Sequence, residues 1–124
     1  MDNNQGSFTF SGRIRSVKHA TDGIIEMVRG QQNAWVHLVA TILVIIGGFV
    51  LDVSRVDWII LILAIVSVWV AEVLNTAFEF LCDVASPEFH PVVKKSKDVA
   101  AGAVLIAALG AVLIGVIVFS SYIL

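Results

Sequence analysis

The sequence predicts an all-α integral membrane protein: three transmembrane helices preceded by an N-terminal amphipathic surface helix. Three observations carry that expectation. Of the 124 residues 58% are hydrophobic and only 15% are charged, with a mean hydropathy of +0.92, an apolar share above that of ordinary soluble domains. The charges leave three long gaps, Ala34 to Leu51, Trp58 to Ala71 and Val99 to Leu124. The basic residues cluster before the first gap and between the second and third.

Residues 1–11 are polar and carry Gly and Asn, which suits a poorly ordered terminus. Over residues 12–32, Ile14, Val17, Ile24, Met27 and Val28 alternate with Arg15, Lys18, Asp22, Glu26 and Arg29, as in a helix lying in the membrane interface. A hydrocarbon core of roughly 30 Å takes about 20 helical residues. The first span is expected at 34–52 and the third at 97–122. The second gap covers only about 21 Å before Glu72, yet its helical pattern continues through Phe78, Phe80 and Leu81, so the span is read as 56–84 with Glu72 inside it. Pro87 and Pro91 break the chain between spans two and three. The apolar run starts beyond residue 30 with no small-residue cleavage site, so the spans are read as parts of one mature membrane domain, 1–124, and not as a signal peptide.

Arg13, Arg15, Lys18 and Arg29 precede span one, and Lys94, Lys95 and Lys97 precede span three, whereas the 52–57 link holds only Arg55. The positive-inside rule then puts the N-terminus and the Ser86–Lys97 segment in the cytoplasm, in a multi-pass protein of the inner (cytoplasmic) membrane. A formal charge of -2 supplies no basic surface for nucleic acid. The single cysteine, Cys82, excludes an intrachain disulfide and a Cys-rich metal site and reads as an apolar filler.

The second span carries the chemistry. At about 100° per residue from Glu72, Asn75 falls at about -60°, Thr76 at about +40°, Glu79 at about -20° and Asp83 at about +20°. These five polar groups share one face. Each ionisable group in a membrane helix costs about 2.5–3.5 kcal/mol even on lenient insertion scales, so three carboxylates on one stripe call for a compensating cation. Their oxygens are hard donors suited to Mg²⁺, which takes one or two carboxylates plus substrate phosphates. The alternative is structural: polar stripes also join membrane helices by hydrogen bonds worth about 0.6–2 kcal/mol each, although one or two groups suffice for that. Lys97 and Asp98 stay open between site and scaffold, since Lys marks a cytoplasmic helix start and Asp favours a helix N-terminus.

Glu72-Val73-Leu74-Asn75-Thr76-Ala77-Phe78-Glu79, with Asp83 beyond it, resembles the signature of the prokaryotic diacylglycerol kinase and undecaprenol kinase family. Lys97-Asp98-Val99-Ala100-Ala101-Gly102-Ala103-Val104-Leu105 resembles its second motif, and the run Arg15 to Gly23 also fits, so the likeness covers most of the chain. It implies a homotrimer of three-span subunits that transfers the ATP γ-phosphate to a lipid hydroxyl with Mg²⁺. It further implies that Glu72 is the general base, that Glu79 holds the metal and that Asn75 orients the site. Asp83, Lys97, Asp98 and Arg15 would contact the nucleotide. Phosphoryl transfer rests on positioning and charge neutralisation, so the lack of a Gly-rich phosphate loop is no obstacle.

One position departs from the pattern. Eight residues after Gly23, where the family carries a second metal-binding glutamate, this chain has Gln31. An amide oxygen of Gln31 or Gln32 can ligate Mg²⁺ without adding charge, which would weaken metal binding or alter turnover. On a continuous helix Glu26 lies about 140° away from Gln31 and is a poor substitute.

His37 reads as a buried hydrogen-bonding group in the first span, and Trp35, Trp58 and Trp69 as interface anchors. Ala103, Ala107, Ala111 and Gly115 recur every four residues, a stripe suited to close helix packing. Three helices cannot enclose both nucleotide and lipid, so the site is expected between one subunit's second span and a neighbour's surface helix. The run Phe89 to Ala103 looks more like the undecaprenol branch than the diacylglycerol branch, which favours undecaprenol as the lipid alcohol. Two other classes compete: a small proton-coupled transporter, which would want four spans and a midplane acid, and a non-catalytic membrane subunit that has lost its second metal ligand.

Overall fold

The computed structural model describes residues 7–124, so the expectation for residues 1–6 lies outside the described residues. Four helices follow one another, with no strand among the described residues: α1 (Phe10–Gly30), α2 (Gln32–Val50), α3 (Arg55–Ala85) and α4 (Pro91–Ile123). The last three are long and apolar enough to cross a membrane, and the chain is a multi-pass membrane protein.

Helix α1 begins at Phe10 and not at residue 12, because Thr9 is extended and its hydroxyl oxygen accepts the Gly12 N–H at 3.1 Å, satisfying a first-turn donor. Gln31 interrupts the helix with extended backbone (φ -113°, ψ 122°), so the wheel argument that placed Glu26 relative to Gln31 on one helix does not apply. Met27 is buried, while Ile14, Val17 and Ile24 of the same helix stay exposed.

Between α2 and α3, Asp52 takes a left-handed conformation (φ 51°), which Asp tolerates better than most side chains. Ser54 then caps α3, accepting from the Asp57 N–H at 3.1 Å. The Tyr122 hydroxyl accepts the Ser54 N–H at 2.8 Å and donates to Asp57, tying the end of α4 to the start of α3. Val53, Leu61 and Val118 form the buried core at this end. Trp58 packs on Phe49 at 4.9 Å between ring centroids. A Cβ at Gly48 would collide with the Trp58 ring, so α2 approaches α3 there only because residue 48 is glycine.

The loop between α3 and α4 covers only 86–90, so α4 begins six residues before the expected 97. Pro91 occupies the first turn of the helix, where its missing N–H is not needed, and His90 Nδ1 caps it by accepting the Val92 N–H at 3.1 Å. A proline read as a breaker is here a starter. Helices α3 and α4 form a long antiparallel hairpin and pack together more extensively than any other pair.

On the small-residue stripe of α4, Ala111 and Gly115 line an open cavity of about 510 Å³ shared with Ala40, Val44 and Phe119, and a Cβ at Gly115 would meet nothing within 4 Å. Long apolar side chains such as Leu43, Ile46, Leu63, Leu113 and Ile117 are exposed on the helices. Water would penalise that surface, at roughly 25 cal/mol per Å² of apolar area, and lipid does not.

Candidate functional site

The buried face of α3 runs through Leu61, Ala64 and Val68 and then changes chemistry to Glu72, Asn75 and Thr76. The helical repeat that puts the apolar residues against α4 and α2 therefore puts the polar ones there too. Glu72 is only 1% exposed, and Asn75 and Thr76 are also buried. Burial of that kind is tolerated only where partners exist.

Glu72 has one partner and lacks another. Its Oε2 lies 3.1 Å from His37 Nε2 on α2, whereas Oε1 is buried without any hydrogen bond. Asn75 Oδ1 and Thr76 Oγ1 are likewise buried and unpaired. Leaving such an atom unsatisfied costs about 1–3 kcal/mol, more when it is charged, so these atoms mark a place built for something further. Glu72 and Asn75, with Asn33, His37 and Leu105, line a cleft of about 200 Å³.

Two turns further along α3, Glu79 is held by neutral amides alone. Gln31 Nε2 donates to Oε2 at 3.3 Å and Asn75 Nδ2 to Oε1 at 3.4 Å, both long bonds, and no Lys or Arg pairs with Glu79 among the described residues. Gln31 and Glu79 lie 48 positions apart in sequence and meet within one chain. This pair does not require the surface helix of a neighbour. Gln32, the alternative amide, is exposed.

The donor set suits Mg²⁺. A carboxylate with weak amide contacts and no ion-pair partner among the described residues offers hard oxygens where a cation would supply the missing charge. No group of three or more His, Cys, Asp or Glu stands ready among the described residues, which fits an ion that completes its shell with water and substrate phosphate.

At the end of α3, Asp83 Oδ1 accepts from Lys97 Nζ at 2.6 Å, and Lys94 Nζ donates to Asp98 Oδ2 at 2.7 Å. These are exposed pairs and contribute little to stability. Asp83, Lys94 and Lys97, with Glu88 and His90, line a cleft of about 390 Å³ at the α3–α4 loop, and Asp98 is not part of its lining. Arg15 is not brought to this region: it is exposed on α1 with no hydrogen bond or ion pair among the described residues. Cys82 is buried and free.

Three residues gain a place here that their sequence context did not show. His37 meets Glu72. Trp69, expected at the membrane interface, lies within α3 and donates its Nε1–H to Thr41 Oγ1 at 2.9 Å, with its ring edge-on to His37 at 6.1 Å between centroids. The Thr41 hydroxyl in turn donates to the His37 carbonyl at 2.7 Å. The available signal was a histidine alone in an apolar span, where polar groups are costly and retained for a partner.

Residues 18–119 match the prokaryotic diacylglycerol kinase family. The undecaprenol kinase of Bacillus subtilis strain 168 is 38% identical over 106 residues, covering 86% of each chain. The diacylglycerol kinase of Synechocystis sp. PCC 6803 is 34% identical over 81% of this chain and 58% of its own length. That of Escherichia coli K12 is 32% identical over 68% of this chain and 75% of its own.

Proposed function

The chain belongs to the prokaryotic diacylglycerol kinase family and is a membrane lipid kinase that uses ATP; from that premise we propose that its acceptor is undecaprenol and that Glu72 is the general base. The observation that carries the second part is the buried, unpaired Oε1 of Glu72, whose other oxygen is already engaged. A lipid alcohol entering the adjacent cleft donates its O–H to that oxygen. As the alcohol oxygen bonds to the γ-phosphorus, the bond from phosphorus to the β,γ-bridging oxygen breaks, ADP departs, and the proton passes to Glu72.

Glu79 and the amide of Gln31 would hold Mg²⁺, which neutralises charge on the transferring phosphoryl group when bound. Asn75 steadies Glu79 through its Nδ2. Lys97, paired with Asp83 beside the loop cleft, and Asp98 one residue on would meet the nucleotide's phosphates and ribose. Assembly as a homotrimer in the inner membrane, with the N-terminus cytoplasmic, completes the reading; it is supported by the distribution of basic residues and by the cavity that one chain leaves open between α2 and α4.

The preference for undecaprenol is supported by the higher identity and coverage of the undecaprenol kinase relative. Diacylglycerol presents an equivalent hydroxyl beneath apolar chains and is the competing acceptor, as the names of the other relatives indicate. Both lipids offered in the same micelles with radiolabelled ATP and Mg²⁺ decide between them. Undecaprenyl phosphate is the expected product; preferential labelling of diacylglycerol overturns the choice, and labelling of neither would indicate a subunit without catalysis.

A further inference from the structure

We propose that His37 is a positioning residue for the phosphoryl transfer, fixing the Glu72 carboxylate so that Oε1 alone faces the acceptor hydroxyl; this rests on the reading of Glu72 as the base. An ionised carboxylate only accepts hydrogen bonds, so the 3.1 Å contact is donated by the imidazole Nε2–H to Oε2. The carboxylate is 1% exposed and the imidazole 12%, so water does not replace that bond. Glu72 without it would swing within the broad well of its terminal torsion, and neither oxygen would be held at a fixed angle to the cleft.

The imidazole is itself held. Trp69 lies three residues before Glu72, hence on the same face of α3, and its ring stands edge-on to His37 at 72°. Its Nε1–H donates to Thr41, whose hydroxyl donates to the backbone carbonyl of His37. This chain of two bonds locks the α2 turn bearing His37 against the α3 turn bearing Glu72. The arrangement orients a base through a second residue that is fixed by a third, as general-base sites require. Nothing in it touches the Glu79 end, where the phosphates are read to bind.

Gln and Asn substitutions separate this role from a packing role. The Gln side-chain amide reaches where Nε2 stands, and the shorter Asn amide reaches only where Nδ1 stands, while both are polar and uncharged. His37→Gln and His37→Asn proteins are assayed in mixed micelles with both undecaprenol and diacylglycerol, with kcat and the KM for ATP measured, and thermal unfolding recorded in the same micelles. We expect Gln to keep kcat within about threefold of wild type and Asn to lose on the order of a hundredfold, the scale of a misplaced reacting group. The KM for ATP stays within about twofold in both. If wild type labels a lipid and folded Gln and Asn proteins turn over alike, or if the loss falls on the KM for ATP, the positioning role is overturned while the kinase reading stands. If wild type labels neither lipid, both fall together.

Discussion

Replacing Gln31 with Glu tests where the metal sits. The amide nitrogen of Gln31 stands 3.3 Å from Glu79 Oε2, so the variant puts two carboxylates where one hydrogen bond existed. Unit charges about 4 Å apart in water interact by about 1 kcal/mol, and about twice that where one partner is divalent. The lost amide contact of about 1 kcal/mol is missing with and without the ion and cancels, so the gain of about 2 kcal/mol with Mg²⁺ bound and the relief of about 1 kcal/mol of repulsion leave about 3 kcal/mol in favour of Mg²⁺ binding. That difference is a roughly hundredfold lower Mg²⁺ concentration for half-maximal activity. In EDTA the sign reverses, because the repulsion of about 1 kcal/mol adds to the lost bond and lowers stability by about 2 kcal/mol. The assay is a Mg²⁺ titration of initial lipid-phosphorylation rates at saturating ATP, paired with thermal unfolding in EDTA and in excess Mg²⁺. An unchanged half-saturation point, with no widening of the gap between the two unfolding curves, would refute the placement of Gln31 at the metal.

Glu79→Ala is expected to abolish Mg²⁺-dependent activity and to weaken Mg²⁺-dependent nucleotide binding, whereas Glu72→Ala removes turnover and leaves nucleotide binding intact; wild-type turnover in either would count against the assignment. Cross-linking in a mild detergent is expected to yield a trimer, because the open face between α2 and α4 has room for another helix surface; a monomer with full activity would exclude that assembly.

Hydropathy and spacing along the chain determined the spans and the polar stripe. Both are local properties: a gap in charge of sufficient length has one low-energy place, and the 3.6-residue repeat puts Glu72, Asn75, Thr76 and Glu79 on one face whatever they meet there. Helix ends are also local, yet Pro91 has opposite meanings within a helix and in its first turn, and the choice came with the His90 cap. Which groups lie opposite one another was decided only by the tertiary structure. Rotation and register between helices are set by packing, as where Gly48 admits Trp58, and no spacing rule joins residues on separate helices. Packing brought Gln31 to Glu79 across 48 positions, turned Trp69 inward to Thr41, and laid His37 on Glu72. It also left Ala111 and Gly115 on a cavity wall. A carboxylate stripe can be read from one helix, but which of its oxygens remains unpaired depends on the neighbouring helix that binds the other.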